Sequence, residues 1–304
     1  MMVSNRGSTL ALLRWQQTNV AWYTFAGAVA VFLNALHTFD FVPKLFSLPP
    51  TPIAVVGGAI GIFVSFRTNS AYDRWWEGRK LWGRLINTSR HFSTQALSFI
   101  GPHDRETADR LVRRHIAYVH TLRCLLRQQD PFADRDVMAF LTDHDKAFLP
   151  GRSNTTHAIL HEQSLEFTAW ADAHELDPRR HQQLDESIRH LLDIQGGCER
   201  IKKTPLPRGY GFIAERLILF YSFLLPFAIV DQVGVLAIPL NILVCLAFAL
   251  ISEAGRVLED PFTMFWNGLP LFAMSKTIEN DLRSRMGEDD LPPVPSPDAN
   301  GILM

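Results

Sequence analysis

Charged residues are missing from three long stretches of this chain and crowd into the segments between them. Trp15 to Phe39 runs 25 residues without Asp, Glu, Lys or Arg, Leu45 to Phe66 runs 22, and Gln232 to Ser252 runs 21. A helix rises about 1.5 Å per residue and a bilayer core needs roughly 20 apolar residues, so each stretch predicts a membrane-spanning helix. A fourth, Leu217 to Val230, has 14 uncharged residues. It spans if Gly209 to Ile213 lies at membrane depth and Glu215 and Arg216 face protein. Four such segments in 304 residues leave too little chain to cover them as buried helices of a soluble core.

The remaining segments have the periodicity of amphipathic helices. Asn69 to Ser98 carries Trp75, Trp82, Leu85, Ile86 and Phe92 among charges and continues the second span without a break. Arg105 to Arg127 and Leu184 to Arg200 repeat apolar residues at helical spacing. Pro131 and Leu149-Pro150-Gly151 punctuate the region between them. Leu291 to Met304, with Pro292, Pro293, Pro295 and Pro297, predicts an extended or disordered tail. No alternating strand and no internal repeat is visible. The chain divides into an N-terminal lead-in with spans 1 and 2 (1–66), a helical body (67–208), spans 3 and 4 (209–258), a C-terminal segment (259–285) and the tail (286–304).

Orientation follows from basic residues in the short flanks. Arg67, Arg74, Arg79, Lys80 and Arg84 follow the second span, and Arg200, Lys202, Lys203 and Arg208 precede the third. The loop between the first two spans offers Lys44 alone. Both termini and the body are therefore expected on the cytoplasmic side of the cell's inner membrane. Met1 to Arg14 lacks the apolar run of a secretory signal and is expected to be an amphipathic lead-in.

Composition narrows the function. Lys plus Arg is 30 against 31 for Asp plus Glu, which argues against a nucleic-acid partner, because displacing counterions takes a cationic excess. Cys124, Cys198 and Cys245 are scattered and imply neither a disulfide framework nor a zinc knuckle. His157 and His161 share a helix face, but Glu162 lies outside the pair rather than between them, so surface histidines are expected, not a metal site. No phosphate loop and no nucleophile–base pair is found. The chain is not expected to be an enzyme or to hold a metal or cofactor.

Two rows on the second span stand out. Gly57 and Gly61, continued by Ser65, form a small-residue line suited to close helix packing in lipid. Beside it, Gly58, Ile62 and Phe66 recur at i, i+4 and i+8. Arranged around an axis of symmetry, such an apolar row makes a passage that gates ions by dewetting; ordinary lipid-facing or core packing is the alternative.

The segment Phe66-Arg67-Thr68-Asn69-Ser70-Ala71-Tyr72-Asp73-Arg74-Trp75-Trp76-Glu77 resembles the bacterial bestrophin homologues, in which a pore helix runs into a phenylalanine, an Arg-rich turn and an Arg-Trp-Trp motif. Leu81-Trp82-Gly83, Gly197-Cys198-Glu199-Arg200-Ile201 with Thr204-Pro205-Leu206-Pro207, and Leu258-Glu259-Asp260-Pro261-Phe262 with Leu269-Pro270-Leu271 agree in order and spacing. The resemblance runs from about residue 10 to 285. It implies an all-α membrane protein with four transmembrane helices and a helical cytoplasmic body, assembled as a homopentamer around one pore for small monovalent ions.

The family's three neck positions map to Gly58, Ile62 and Phe66. The family usually carries a branched aliphatic at the first, so Gly58 implies a wider top. A second constriction maps to Arg179, or to Arg180 with a one-residue slip. A basic ring there favours chloride or other anions, unless Arg179 turns aside to Asp177 or Asp185. The calcium clasp of animal members is not matched, because Thr263 to Gly268 contains no carboxylate. Cation selectivity stays open within the family. A secondary transporter, anchored at Pro226, Pro239 and Asn241, and a membrane-anchored docking protein remain alternatives from other classes.

Overall fold

The computed structural model describes residues 16–39, 48–298 and 301–303. The lead-in Met1 to Arg14 and Lys44 lie outside them. Among the described residues the elements are helical throughout. In chain order they are α1 (Gln17–Thr38), α2 (Pro50–Gln95), a π turn (Ala96–Ile100), α3 (Arg105–Leu126), a 3-10 turn (Pro131–Ala133), α4 (Arg135–Met138), α5 (Asp143–Phe148), α6 (Thr155–Ala173), α7 (Pro178–Lys203), α8 (Arg208–Val233), a 3-10 turn (Gly234–Leu236), α9 (Ala237–Leu258) and α10 (Leu271–Arg285). They form two compact units. One, here called the apolar unit, comprises the described residues through Trp75 together with Pro205–Glu259. The other, the polar unit, comprises Trp76–Thr204 and the chain from Asp260 onward.

Three stretches are long and apolar enough to cross a membrane: Gln17–Thr38, Pro50–Ile100 and Gly209–Leu258. The last is two helices, α8 and α9, joined at Gly234, whose φ of +56° suits a residue without Cβ. Tyr221 and Phe248 lie at nearly equal distances before and after that turn and meet edge-on with centroids 5.9 Å apart. Only an antiparallel hairpin brings them together. The core of the apolar unit joins Tyr23 of α1, Ile60 and Val64 of α2, Ala214, Ile218, Tyr221 and Leu225 of α8, and Cys245 of α9. Close approach is built in at Gly27, whose missing Cβ would lie 3.0 Å from the Ile238 backbone. Asn241 is fully buried and donates from Nδ2 to the Tyr23 carbonyl at 2.9 Å, so this intramembrane amide is a packing device between α1 and α9.

The expectation that Glu215 and Arg216 face protein does not hold within the chain. Ala214 and Ile218 take the buried face of α8, which leaves the two intervening charges exposed. Arg216 lies over the Phe212 ring at 5.0 Å. Both charges border a cavity of ≈ 370 Å³ with Gln16, Asn19, Ser252 and Glu253.

In the polar unit α3 is the centre. It buries residues all around, from Leu111 and Val112 to Leu122 and Cys124. Its start is capped by Asp104, whose carboxylate accepts from the Thr107 amide at 3.0 Å. Asn154, Asp177 and the Thr142–Asp145 capping box begin α6, α7 and α5 in the same way. The second span and the amphipathic segment after it form one helix, α2, of 46 residues, as the unbroken pattern predicts. The tail has no regular secondary structure from Leu291 to Asp298, and its beginning is tied down by Asn280, which donates to the Pro292 carbonyl at 2.8 Å.

Candidate functional site

In the apolar unit one face of α2 is packed. Gly57, Ile60, Val64, Arg67 and Ala71 are buried at steps of three and four residues. The opposite face is bare. Gly58 is exposed with no atom within 4 Å of where a Cβ would stand, and Ile62 and Phe66 are 61% and 68% exposed. The predicted row is thus brought together on one side of one helix, and no other part of the described chain covers it. Large apolar side chains this exposed, in a row, mark a surface meant for lipid, another copy or an ion path rather than water.

The small-residue line performs the packing its pattern predicts at two of its three positions. A Cβ on Gly57 would collide with the Tyr221 hydroxyl, and one on Gly61 would touch Phe248 at 3.4 Å. Both partners belong to the α8–α9 hairpin. Ser65 departs from the line and is exposed. Because Gly57 and Gly61 must face the hairpin, Gly58 and Ile62, one residue further round the helix, are turned away from it.

The rotation of α2 is locked by a side chain that the sequence marks only as a basic flank and motif residue. Arg67, 5% exposed, donates from Nη1 to Ser252 Oγ at 2.9 Å and from Nη2 to Glu259 Oε1 at 2.6 Å. Arg74 donates from Nε to the Glu259 carbonyl at 2.7 Å. Thr68 donates to the Val64 and Ile251 carbonyls at 3.0 Å each, and its close approach to Gly255 leaves no room for a Cβ there. Gly211 makes the same allowance for the Arg67 guanidinium, 3.0 Å from a built Cβ. The signal available in the sequence was an Arg directly after one apolar run and a Glu just after another; nothing local pairs them.

Arg179 sits in the first turn of α7 and is exposed. Its backbone amide, not its guanidinium, bonds Asp177, whose Oδ1 accepts from the amides of Arg179 and Arg180 at 2.8 and 3.3 Å. Asp177 is therefore occupied as a helix cap, and Arg179 forms no ion pair among the described residues. Arg180 differs, with its guanidinium 5.4 Å from the centre of the Phe99 ring.

After α9, the two carboxylates next to the Pro-Phe turn are already engaged by cations. Glu259 pairs with Arg67, and Asp260 pairs with Lys202 at 2.6 Å. Asp260 also caps the turn, accepting from the Phe262 amide at 3.0 Å. Parts of the quoted motifs meet within the polar unit. Gly197 packs against Leu81, whose Cδ2 lies 2.9 Å from a built Cβ, and Gly78 packs against Pro261 and Phe262. Arg200 pairs with Glu77.

His157 and His161 are exposed on α6, their rings 6.5 Å apart. Among the described residues no three His, Cys, Asp or Glu side chains gather as a metal site. The inner titratable groups of the polar unit are structural. His115 is fully buried against Ser89 Oγ at 2.9 Å, and burial pushes its pKa down to about 3. Burial pushes the Cys124 and Cys198 thiols up to about 12. Burial also acts to raise Glu279, but hydrogen bonds from His120 and Lys276 outweigh it and hold that carboxyl at about 2.

A chain of long apolar helices, with an uncovered apolar row on a helix locked in place by a buried guanidinium, has the character of a membrane protein. Its relatives say which. The family profile described as Bacterial/Fungal Bestrophin protein matches residues 1–284, and the chain belongs to that family. It is 32% identical over 266 residues to a voltage-dependent anion channel-forming protein of Mesorhizobium japonicum, covering 88% of this chain and 84% of that one. A Ralstonia nicotianae protein of the same description is 32% identical over 278 residues, covering 86% and 85%. A crystal structure of a bacterial bestrophin homolog from Klebsiella pneumoniae superimposes with a TM-score of 0.83 at 27% identity, covering 93% of this chain and all of that one.

Proposed function

We propose that this chain is the subunit of a passive bestrophin-type channel conducting small monovalent anions. Five copies surround one axis, with Gly58, Ile62 and Phe66 as the neck and Arg179 at the cytoplasmic aperture. The observation that carries the reading is the bare apolar row on α2, held outward by the Arg67 clamp on its far side. Four helices, α1, the first part of α2, α8 and α9, cross the inner membrane with both termini cytoplasmic, in line with the basic flanks around residues 67–84 and 200–208. Chloride is favoured because the named relatives are described as anion channel-forming proteins and because Arg179 has no ion pair among the described residues. Gly58 leaves the first turn of the neck wide. Calcium plays no part in opening, since Glu259 and Asp260 are spent on Arg67 and Lys202 and the Thr263–Gly268 loop holds no carboxylate.

The test is recording from purified protein in planar bilayers, with native mass measurement of the detergent complex. The expected mass is that of five 34.5 kDa chains, and currents should reverse near the chloride potential in a salt gradient. Replacing both Ile62 and Phe66 by Ala should raise unitary conductance, because ten large apolar side chains leave the axis, while leaving the melting temperature near wild type. A stable monomer, or a double variant with unchanged conductance, removes the neck from this helix face. Reversal near the cation potential overturns the choice of ion.

A further inference from the structure

The exposed face of α2 does not stop at Phe66. Stepping three or four residues at a time from Ile62 leads through Phe66, Asn69, Asp73, Trp76 and Lys80 to Arg84. At about 100° per residue all of these lie within roughly 40° of the Ile62 direction. Every one is exposed. α2 carries Pro only in its first turn, at Pro50 and Pro52, and is helical from Pro50 to Gln95. The row changes from apolar to polar after Phe66, and its charged members are Asp73, Lys80 and Arg84.

The two bases differ from many cations of the same unit. Arg90 pairs with Asp281, Arg113 with Glu288 and Lys203 with Glu199. Lys80 and Arg84 form no ion pair among the described residues. Asp73, the one acid on the row, lies seven residues before Lys80, about 10 Å along the helix. The whole chain carries 30 basic and 31 acidic residues. An uncancelled basic pair on the face shared with the neck residues is therefore a local departure from a balanced protein.

We infer that Lys80 and Arg84 determine ion selectivity by forming a cationic band that concentrates small anions on the cytoplasmic approach to the neck. The inference rests on the pore reading above and deepens it. Lys80 is about 27 Å and Arg84 about 33 Å along the helix from Ile62, too far to touch an ion at the constriction. They act through the field. Five copies contribute ten positive charges to one vestibule, against five from Asp73, and walls of low dielectric focus what remains. Lys80 and Arg84 are thus selectivity residues distinct from the neck and from Arg179.

The experiment compares the full-length pentamer with the double variant Lys80→Glu/Arg84→Glu in planar bilayers, at about 20 mM and at 1 M salt. At low salt the anion-to-cation permeability ratio should fall at least about five-fold. At 1 M salt, where the Debye length is near 3 Å, the variant should approach wild type. Should the double variant not assemble, Lys80→Cys and Arg84→Cys supply the second measurement. The native Cys124, Cys198 and Cys245 are all buried, so an added surface thiol is the one modified. A negatively charged methanethiosulfonate should lower the low-salt chloride current and a neutral one of equal size should not, with recovery on reduction.

A low-salt permeability ratio that the charge reversal leaves unchanged, or confirmed labelling with no change in current, overturns the band. If Ile62→Ala/Phe66→Ala still alters conductance in that case, the pore reading stands without it. If neither set of variants has any effect, the pore-lining role of this face falls as a whole.

Discussion

The two units fix the same long helix by opposite chemistry. In the apolar unit α2 itself is uncharged on every side from Pro50 to Phe66, so hydrophobicity cannot choose which face turns inward. The choice is made by a few specific contacts: glycines against Tyr221 and Phe248, and the Arg67 guanidinium bridging Ser252 and Glu259. In the polar unit the choice is made by burial. Trp82, Leu85 and Phe92 are fully buried on one side while Lys80, Arg84 and Asn87 face out. Where solvent is water, amphipathicity orients a helix. Where it is lipid, shape and a buried polar clamp must do so.

That contrast is broken most directly at Arg67. Replacing it with Ala strands the Glu259 carboxylate and Ser252, and the expected cost is about 3 kcal/mol, the order found when one partner of a buried pair is removed. Melting of the purified protein in detergent measures it. Arg67→Lys should recover only part of the loss, since a single ammonium cannot span both acceptors. Full recovery by Lys would mean that charge alone, not the forked geometry, holds the helix.

The glycine contacts sharpen the same point at smaller scale. Gly57→Ala drives a methyl into the Tyr221 ring and hydroxyl and should cost about 2 kcal/mol, in the usual range for overpacking. Tyr221→Phe removes the nearest obstructing atom, so the double variant should be more stable than the sum of the two single changes. Strict additivity would show that Gly57 is not held against Tyr221.

The polar unit offers a different lever, pH, through His115. Its folded pKa is pushed from 6.5 to about 3, so below pH 6.5 the unfolded chain binds a proton that the folded chain refuses. Stability is full above that value and declines on acidification from about 6.5 towards 3, at up to about 1.4 kcal/mol per pH unit from this group. His115→Gln should flatten that part of the melting-temperature profile. An unchanged slope between pH 6.5 and 4.5 would assign the acid sensitivity to other groups.

Much of the architecture could be read from the chain alone. Uncharged runs above 20 residues predict spanning helices because a bilayer core has a fixed thickness, and the amphipathic repeat after Phe66 foretold one helix running out of the second span. Gly197 and the Asp260-Pro261-Phe262 turn were recognisable only through the resemblance to the bacterial bestrophins, and the fold shows what they pack against. The row Gly58, Ile62, Phe66 was visible too, as periodicity, but periodicity says only that residues share a face.

Which way that face points was decided by tertiary contacts. Arg67 meets Ser252 and Glu259 across 185 and 192 residues, and no local pattern links an arginine to partners that distant. The same holds for Glu215 and Arg216, whose exposure follows from α8 turning Ala214 and Ile218 into the core. It holds for Arg179 as well, where spacing offered Asp177 as a partner for the guanidinium and the fold spends that carboxylate on capping α7. Helix content and length follow from local sequence, because backbone hydrogen bonds and hydropathy act over a few turns. Rotation about a helix axis follows from long-range steric and ionic contacts, and it is rotation that decides which side chains an ion would meet.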